Sequence, residues 1–171
     1  MSKQLPDFVE PMLALRGEAF DSDEHLFEVK WDGTRAMAYV EQSGYRLLNR
    51  RNNDITERYP EFDFLSQFPA GTLLDGEVCV LDDQGRAVFH ALQSREQARS
   101  ELKYRTLSRA TPATFIVFDQ LYDQYESTMR QPLHQRRERL QTLLQRVAPP
   151  RMVLSDGVTG VGKAFFEQIV E

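Results

Sequence analysis

One lysine, Lys30, stands between two carboxylates in Glu28-Val29-Lys30-Trp31-Asp32-Gly33-Thr34-Arg35. An amine can lose its proton and become a nucleophile, which a guanidinium effectively cannot. The chain holds four lysines against seventeen arginines, so a lysine in this setting is a poor match for generic surface charge. Read with a period of two, Phe27, Val29 and Trp31 face one side and Glu28, Lys30 and Asp32 the other. That predicts a half-buried strand closed by a glycine turn. Carboxylates two residues away on one face lie roughly 6–7 Å off and favour the ammonium form. Attack by the amine then needs more positive charge, from a metal-bound phosphate or from cationic side chains. The plain alternative is an edge-strand lysine that discourages aggregation, next to an Asp-Gly hairpin turn.

A second candidate is Asp75-Gly76-Glu77, set inside the apolar run Thr72 to Leu81. Its two carboxylates share a strand face, and the glycine between them permits close approach of a ligand or of backbone. Carboxylates in such a run are costly unless bonded, either to a ligand or in a bulge with a buried ion pair. Asn49-Arg50-Arg51-Asn52-Asn53-Asp54 is polar and rich in residues that tolerate left-handed backbone. Arg35 and Arg50 can each offer a planar fork to phosphate or ribose oxygens; the plain alternatives are a local ion pair with Asp32 or Glu28 and a solvated loop. His25, His90 and His134 share no metal-ligand spacing.

The elements needed to position these groups read as α+β. Residues 36–41 and 45–48 predict strands around Ser43-Gly44, paired with the Lys30 strand. Thr56 is placed to cap a helix reaching about Phe68, with Phe62, Leu65 and Phe68 as its buried stripe. Strands are expected over 72–81, 113–119 and 152–154, and helices over 89–100, from Pro132 to Val147 and from near Gly162. The polar stretch 101–111 reads as a surface connection. Pro11-Met12-Leu13-Ala14 reads as an apolar strip packed under the first sheet.

At 171 residues the chain can bury one core. No apolar run approaches the roughly 20 residues that span a bilayer, and the first residues lack an apolar signal region, so a cytoplasmic protein is expected. Cys79, the one cysteine, excludes an internal disulfide and reads as a small buried hydrophobe. A net charge of −5 disfavours nucleic acid only on average, because binding needs a local basic stripe. Arg46, Arg50, Arg51 and Arg58 form the better phosphate-contact group. Arg136, Arg137 and Arg139 read as the solvated face of a helix.

Several of these stretches fall together in one pattern. The Lys30 octapeptide resembles the Glu-x-Lys-x-Asp-Gly-x-Arg signature of covalent nucleotidyltransferases, which are ATP-dependent DNA ligases, RNA ligases and mRNA capping enzymes. Asn49 to Thr56 is similar to the second ligase motif, Ser-Arg-Asn-Gly followed by Asp and Thr, with Arg50 at its arginine and Asn52 in place of the glycine. Asp75-Gly76-Glu77 and Phe115-Ile116-Val117-Phe118-Asp119-Gln120-Leu121-Tyr122 resemble the next two motifs in order. Pro11-Met12-Leu13-Ala14 resembles the opening of the ligase module of bacterial non-homologous end-joining ligases.

The resemblance implies an antiparallel-sheet-rich, ATP-grasp-like adenylation domain. It implies Lys30 as nucleophile on the α-phosphorus of ATP, Glu28 beside the adenine, and Arg35 and Arg50 on ribose or phosphates. Glu77 would bind ribose or a metal, and Phe118 would stack on the purine. ATP and Mg2+ (or Mn2+) are the implied cofactors, and nicked or broken duplex DNA is the substrate, with end-joining repair proteins as further partners. The family's Glu-Gly-x-x-x-Lys and Lys-x-Lys motifs do not occur, so 1–171 reads as a C-terminally incomplete adenylation domain without an oligonucleotide-binding domain. Poor or absent adenylation of Lys30 by the chain alone is the expectation. An RNA ligase or a capping guanylyltransferase is the alternative within the class, and a non-catalytic remnant that binds nucleic acid or a repair partner is the alternative outside it.

Overall fold

The computed structural model describes residues 3–170. They form two compact units: the residues up to Pro11 with Trp31–Leu154, and Met12–Lys30 with the residues from Ser155 on.

The first unit is built on a sheet of β2 (Thr34–Glu41), β3 (Gly44–Asn49), β4 (Thr72–Val80), β5 (Ala113–Asp123), β6 (Glu126–Ser127) and β7 (Met152–Leu154), numbered after a short β1 (Phe27–Glu28) in the second unit. Its order is β3-β2-β4-β5-β6, antiparallel throughout, with β7 added parallel to β5. Both faces of the sheet are covered, and β2 shows how. Ala36, Ala38 and Val40 enter one cluster, with Phe62, Phe115 and Leu140, while Met37 and Tyr39 enter another, with Leu5, Leu73 and Leu121. The period-two pattern of a strand therefore separates two cores. The second core is capped by the N-terminal segment, whose Val9 N–H donates to the Tyr39 hydroxyl at 2.7 Å. Helices α1 (Phe89–Glu96) and α3 (Leu133–Val147) supply Leu92, Leu140 and Leu143 to the first core.

In the second unit β1 pairs with β8 (Gly157–Val158), and α4 (Gly162–Val170) follows. Phe20 packs edge-on against Phe27, and the Asp21 carboxylate accepts from the Lys163 N–H at the first turn of α4. Of the strip Pro11-Met12-Leu13-Ala14, expected to pack as an apolar layer, only Pro11 is buried, and Met12, Leu13 and Ala14 are exposed.

The strand expected through Lys30 is two residues long, and Lys30 follows it on irregular, exposed backbone. β2 and β3 form the expected hairpin, but β2 pairs with β4 on its other edge, not with β1. Gly33 is no hairpin turn either. A Cβ there would stand 2.3 Å from the Val78 carbonyl oxygen and 2.6 Å from the Cys79 sulfur, so the glycine lets the chain pass close to β4. Burial pushes the Cys79 thiol up to about 12, as a small inert hydrophobe requires.

The expected helix after Thr56 is instead two 3-10 segments, Thr56–Arg58 and Pro60–Gln67. The Thr56 hydroxyl is already engaged, accepting from the Leu47 N–H and donating to Asp54, and leaves no helix cap. The stretch read as a connection is α2 (Glu101–Ala110), started by a Ser100 cap and braced by a Glu101–Arg105 ion pair one turn apart. None of its residues is buried, so it lacks the apolar stripe that marks a packed helix.

Candidate functional site

Arg35, Asp75, Glu77 and Asp119 gather beyond the apolar part of the second core. Register places Arg35 opposite Glu77 and Met37 opposite Asp75 across β2 and β4. Arg35 reaches one step along to Asp75, and its Nε and one terminal nitrogen donate to the two carboxylate oxygens at 2.6 and 2.7 Å. This two-pronged geometry is the strong form of the pair. Asp75 is only 4% exposed. Burial pushes its carboxyl above the ordinary aspartate range although the Arg35 bonds and charge pull the other way, and Asp119 opposite adds to the rise. Burial also works against the Arg35 charge, but the hydrogen bond to Asp75 and the fields of Asp75, Glu77 and Asp119 outweigh it and raise its pKa. Glu77 is half-buried in the same row.

A β-bulge shapes the other side of the site. Asp75 faces Asp119, but the next residue, Gly76, faces Val117, so Phe118 is the extra residue on β5 with no ladder partner. Phe118 is accordingly half-exposed between buried neighbours Val117 and Asp119. The Arg35 guanidinium carbon stands 4.6 Å from its ring centroid, a cation–π contact. Gly76 is required on the opposite face, because a Cβ would lie 2.4 Å from the Ile116 carbonyl oxygen and 2.7 Å from the Phe115 ring. The bulge and buried ion pair named as the plain alternative for Asp75-Gly76-Glu77 are thus both present, with Phe118 presented by the same bulge.

Two residues here escaped sequence reading. Arg136, on the first turn of α3, donates to both oxygens of Asp119 at 2.8 Å each and to the Gln131 carbonyl at 2.6 Å. Arg137 donates to the Phe118 carbonyl at 3.2 Å. They are no solvated face. Their partners lie on another element, so helical spacing carries no trace of them; the available signal was two adjacent arginines one turn into a helix that follows Phe118-Asp119.

Of the remaining candidates, Arg50 is exposed in the loop after β3. The Asn49 side chain organises that loop by accepting from the Arg51 and Asn53 N–H groups, and Asn52 adopts φ 60°, the left-handed backbone expected of a glycine stand-in. Glu28 and Lys30 belong to the second unit; Glu28 pairs in register with Gly157, and Lys30 is exposed. Among the described residues no three His, Cys, Asp or Glu side chains form a metal cage. Mg2+ held by one or two carboxylates together with substrate phosphates needs no such cage, and Glu77 offers an oxygen ligand of the required kind.

An antiparallel-rich sheet with helices packed on it is the α+β architecture that the sequence motifs imply. Residues 11–169 match the family model described as ATP dependent DNA ligase domain, and the chain belongs to that family. It is 31% identical over 160 residues to the SPbeta prophage-derived DNA ligase-like protein LigB of Bacillus subtilis, covering 93% of this chain and 55% of that protein. It is 35% identical over 147 residues to the multifunctional non-homologous end joining protein LigD of Pseudomonas aeruginosa, covering 82% of this chain and 16% of that one. Among solved structures, mycobacterial DNA ligase D complexed with ATP and MES superimposes with a TM-score of 0.76 at 28% identity, over 96% of this chain and 51% of that one. The chain therefore spans about half, or less, of the length of these relatives. Among the described residues no helix is long and apolar enough to cross a membrane.

Proposed function

We propose that this chain is the adenylate-forming part of an ATP-dependent DNA ligase and that Lys30 is its nucleophile. The deprotonated amine attacks the α-phosphorus of ATP. A nitrogen–phosphorus bond forms as the bond to the bridging oxygen breaks, pyrophosphate leaves, and AMP stays on Lys30 as a phosphoramide. Such a displacement depends on alignment and charge neutralisation more than on acid–base steps. The Phe118 ring offers the purine a flat apolar face. Glu77 accepts from ribose hydroxyls or ligates the divalent ion, with Mg2+ the best fit to an oxygen donor set; when bound, that ion neutralises phosphate charge. Arg35 backs Phe118 and holds Asp75, while Glu28 borders the adenine. Arg50 meets ribose or DNA phosphates from its exposed loop. Nicked or broken duplex DNA is the final acceptor, and end-joining proteins are the natural partners.

The observation that carries this reading is the convergence of Arg35, Asp75, Glu77 and Phe118, from three sequence motifs, on the neighbouring strands β2, β4 and β5 of one sheet. The test is intact-mass and peptide analysis of the full chain after incubation with saturating ATP and Mg2+. Little or no AMP on the chain alone is expected, and AMP on Lys30 once strands carrying the family's Glu-Gly-x-x-x-Lys and Lys-x-Lys motifs are appended, lost in Lys30→Arg and not matched by GMP from GTP. AMP on Lys3, Lys103 or Lys163, or no covalent AMP on the extended chain, would overturn it.

A further inference from the structure

We infer that Arg136 and Arg137 are positioning residues that set the direction of the Phe118 ring. The inference rests on the reading of Phe118 as the purine shelf for its consequence in binding, but its structural content stands apart from that reading.

A residue at a β-bulge loses the ladder bonds that fix its neighbours. Phe118 is such a residue, lying between a Val117–Gly76 pair and an Asp119–Asp75 pair. What replaces the missing restraint comes from α3. Arg137 donates to the Phe118 carbonyl, and Arg136 grips the side chain of the next residue, Asp119, with a two-pronged fork. The third arm of Arg136 reaches the Gln131 carbonyl just ahead of α3, so the guanidinium is fixed at both ends.

On the sheet side, Asp119 faces Asp75, which carries its own fork from Arg35, and Arg35 lies over the Phe118 ring. Two buried carboxylates side by side repel unless each is neutralised. Arg35 neutralises one from β2 and Arg136 neutralises the other from α3. The Phe118-Asp119 peptide is thereby held from both flanks. α3 itself is seated in the first core by Leu140 and Leu143, one and two turns further on. The helix thus acts as a rigid bracket for one aromatic side chain.

The test places 4-fluorophenylalanine at Phe118 in the full chain and, in a separate sample, at the core residue Phe64. Fluorine NMR then reads ring environment at each site, and calorimetry reads ATP affinity. Arg137→Met, and Arg136→Met combined with Asp119→Asn so that no carboxylate is left unpaired, are expected to shift or broaden the 118 signal. The Phe64 signal should stay in place, and ATP binding should weaken by about tenfold. Arg137→Lys, which keeps a donor at that point, should return the 118 signal. An unchanged 118 signal in both substituted chains would overturn the inference. If the signal moves in them but ATP leaves it unmoved in the unsubstituted chain, the bracket stands and the purine reading of Phe118 falls.

Discussion

Two kinds of buried arginine fork sit in the first unit, and their surroundings set them apart. Arg95 is 1% exposed; it holds Glu61 with two nitrogens, donates to the Arg58 and Thr111 carbonyls and lies over Tyr59. Glu61 also accepts from the Ala113 N–H at the start of β5. Every group around that pair belongs to packed backbone or core, so its energy goes into tying α1, the 3-10 segments and β5 together. The Arg35–Asp75 and Arg136–Asp119 forks have the same chemistry, but they border a half-exposed ring on the bulge of β5. A closed fork of this kind makes a staple; an open pair of them makes a platform.

The largest effect that would break this comparison is expected at the staple. Arg95→Met leaves the Glu61 carboxylate buried without its partner and should lower stability by about 3–5 kcal/mol in urea titrations, with a loss for Arg35→Met clearly smaller. A platform arginine costing more than Arg95 would erase the distinction.

Arg35→Met comes next, at about 2 kcal/mol, because Arg35 stands closer to solvent. It also has a pH signature. The folded pKa of Asp75 lies above its ordinary value, mainly through burial, so its ionisation disfavours the folded state. Removing Arg35 raises that pKa further. The added instability of Arg35→Met should therefore appear as pH rises through the folded pKa of Asp75 and fade at lower pH, where the carboxyl is protonated in folded and unfolded chain alike. Urea titrations at stepped pH read this directly, and a deficit that grows on acidification would contradict it.

Phe118→Leu should separate binding from stability. ATP affinity falls about tenfold by calorimetry while urea stability changes by less than about 1 kcal/mol, since the ring is only half-buried. The smallest effect is expected outside both regions. Asn52→Gly should leave stability within about 0.5 kcal/mol, whereas Asn52→Val should cost about 1–2 kcal/mol at a φ of 60° that a branched side chain resists.

These differences track what a sequence can carry. The α+β class, β2, β3, β4, α3 and the left-handed Asn52 were legible because period, turn chemistry and propensity are local. The Lys30 strand was misread: alternation of Phe27, Val29 and Trp31 continues past the two residues that find a pairing partner. α2 was missed because an exposed helix held by a cap and an ion pair leaves no apolar stripe. Chemistry was legible as motifs, whereas the geometry linking them was not. The Arg35 fork to Asp75 spans 40 residues and the Arg136 fork to Asp119 spans 17, and the second adjoins a bulge at Phe118 that no spacing reveals.

Photolabelling of the full chain with 8-azido-ATP, followed by peptide mapping, tests most directly whether the bulge of β5 receives a purine. Label concentrated on the peptide carrying Phe118, displaced by ATP and reduced in Phe118→Leu, is the result expected. Label spread over the chain, or concentrated elsewhere and indifferent to ATP, would contradict the assignment of this bulge as a nucleotide site.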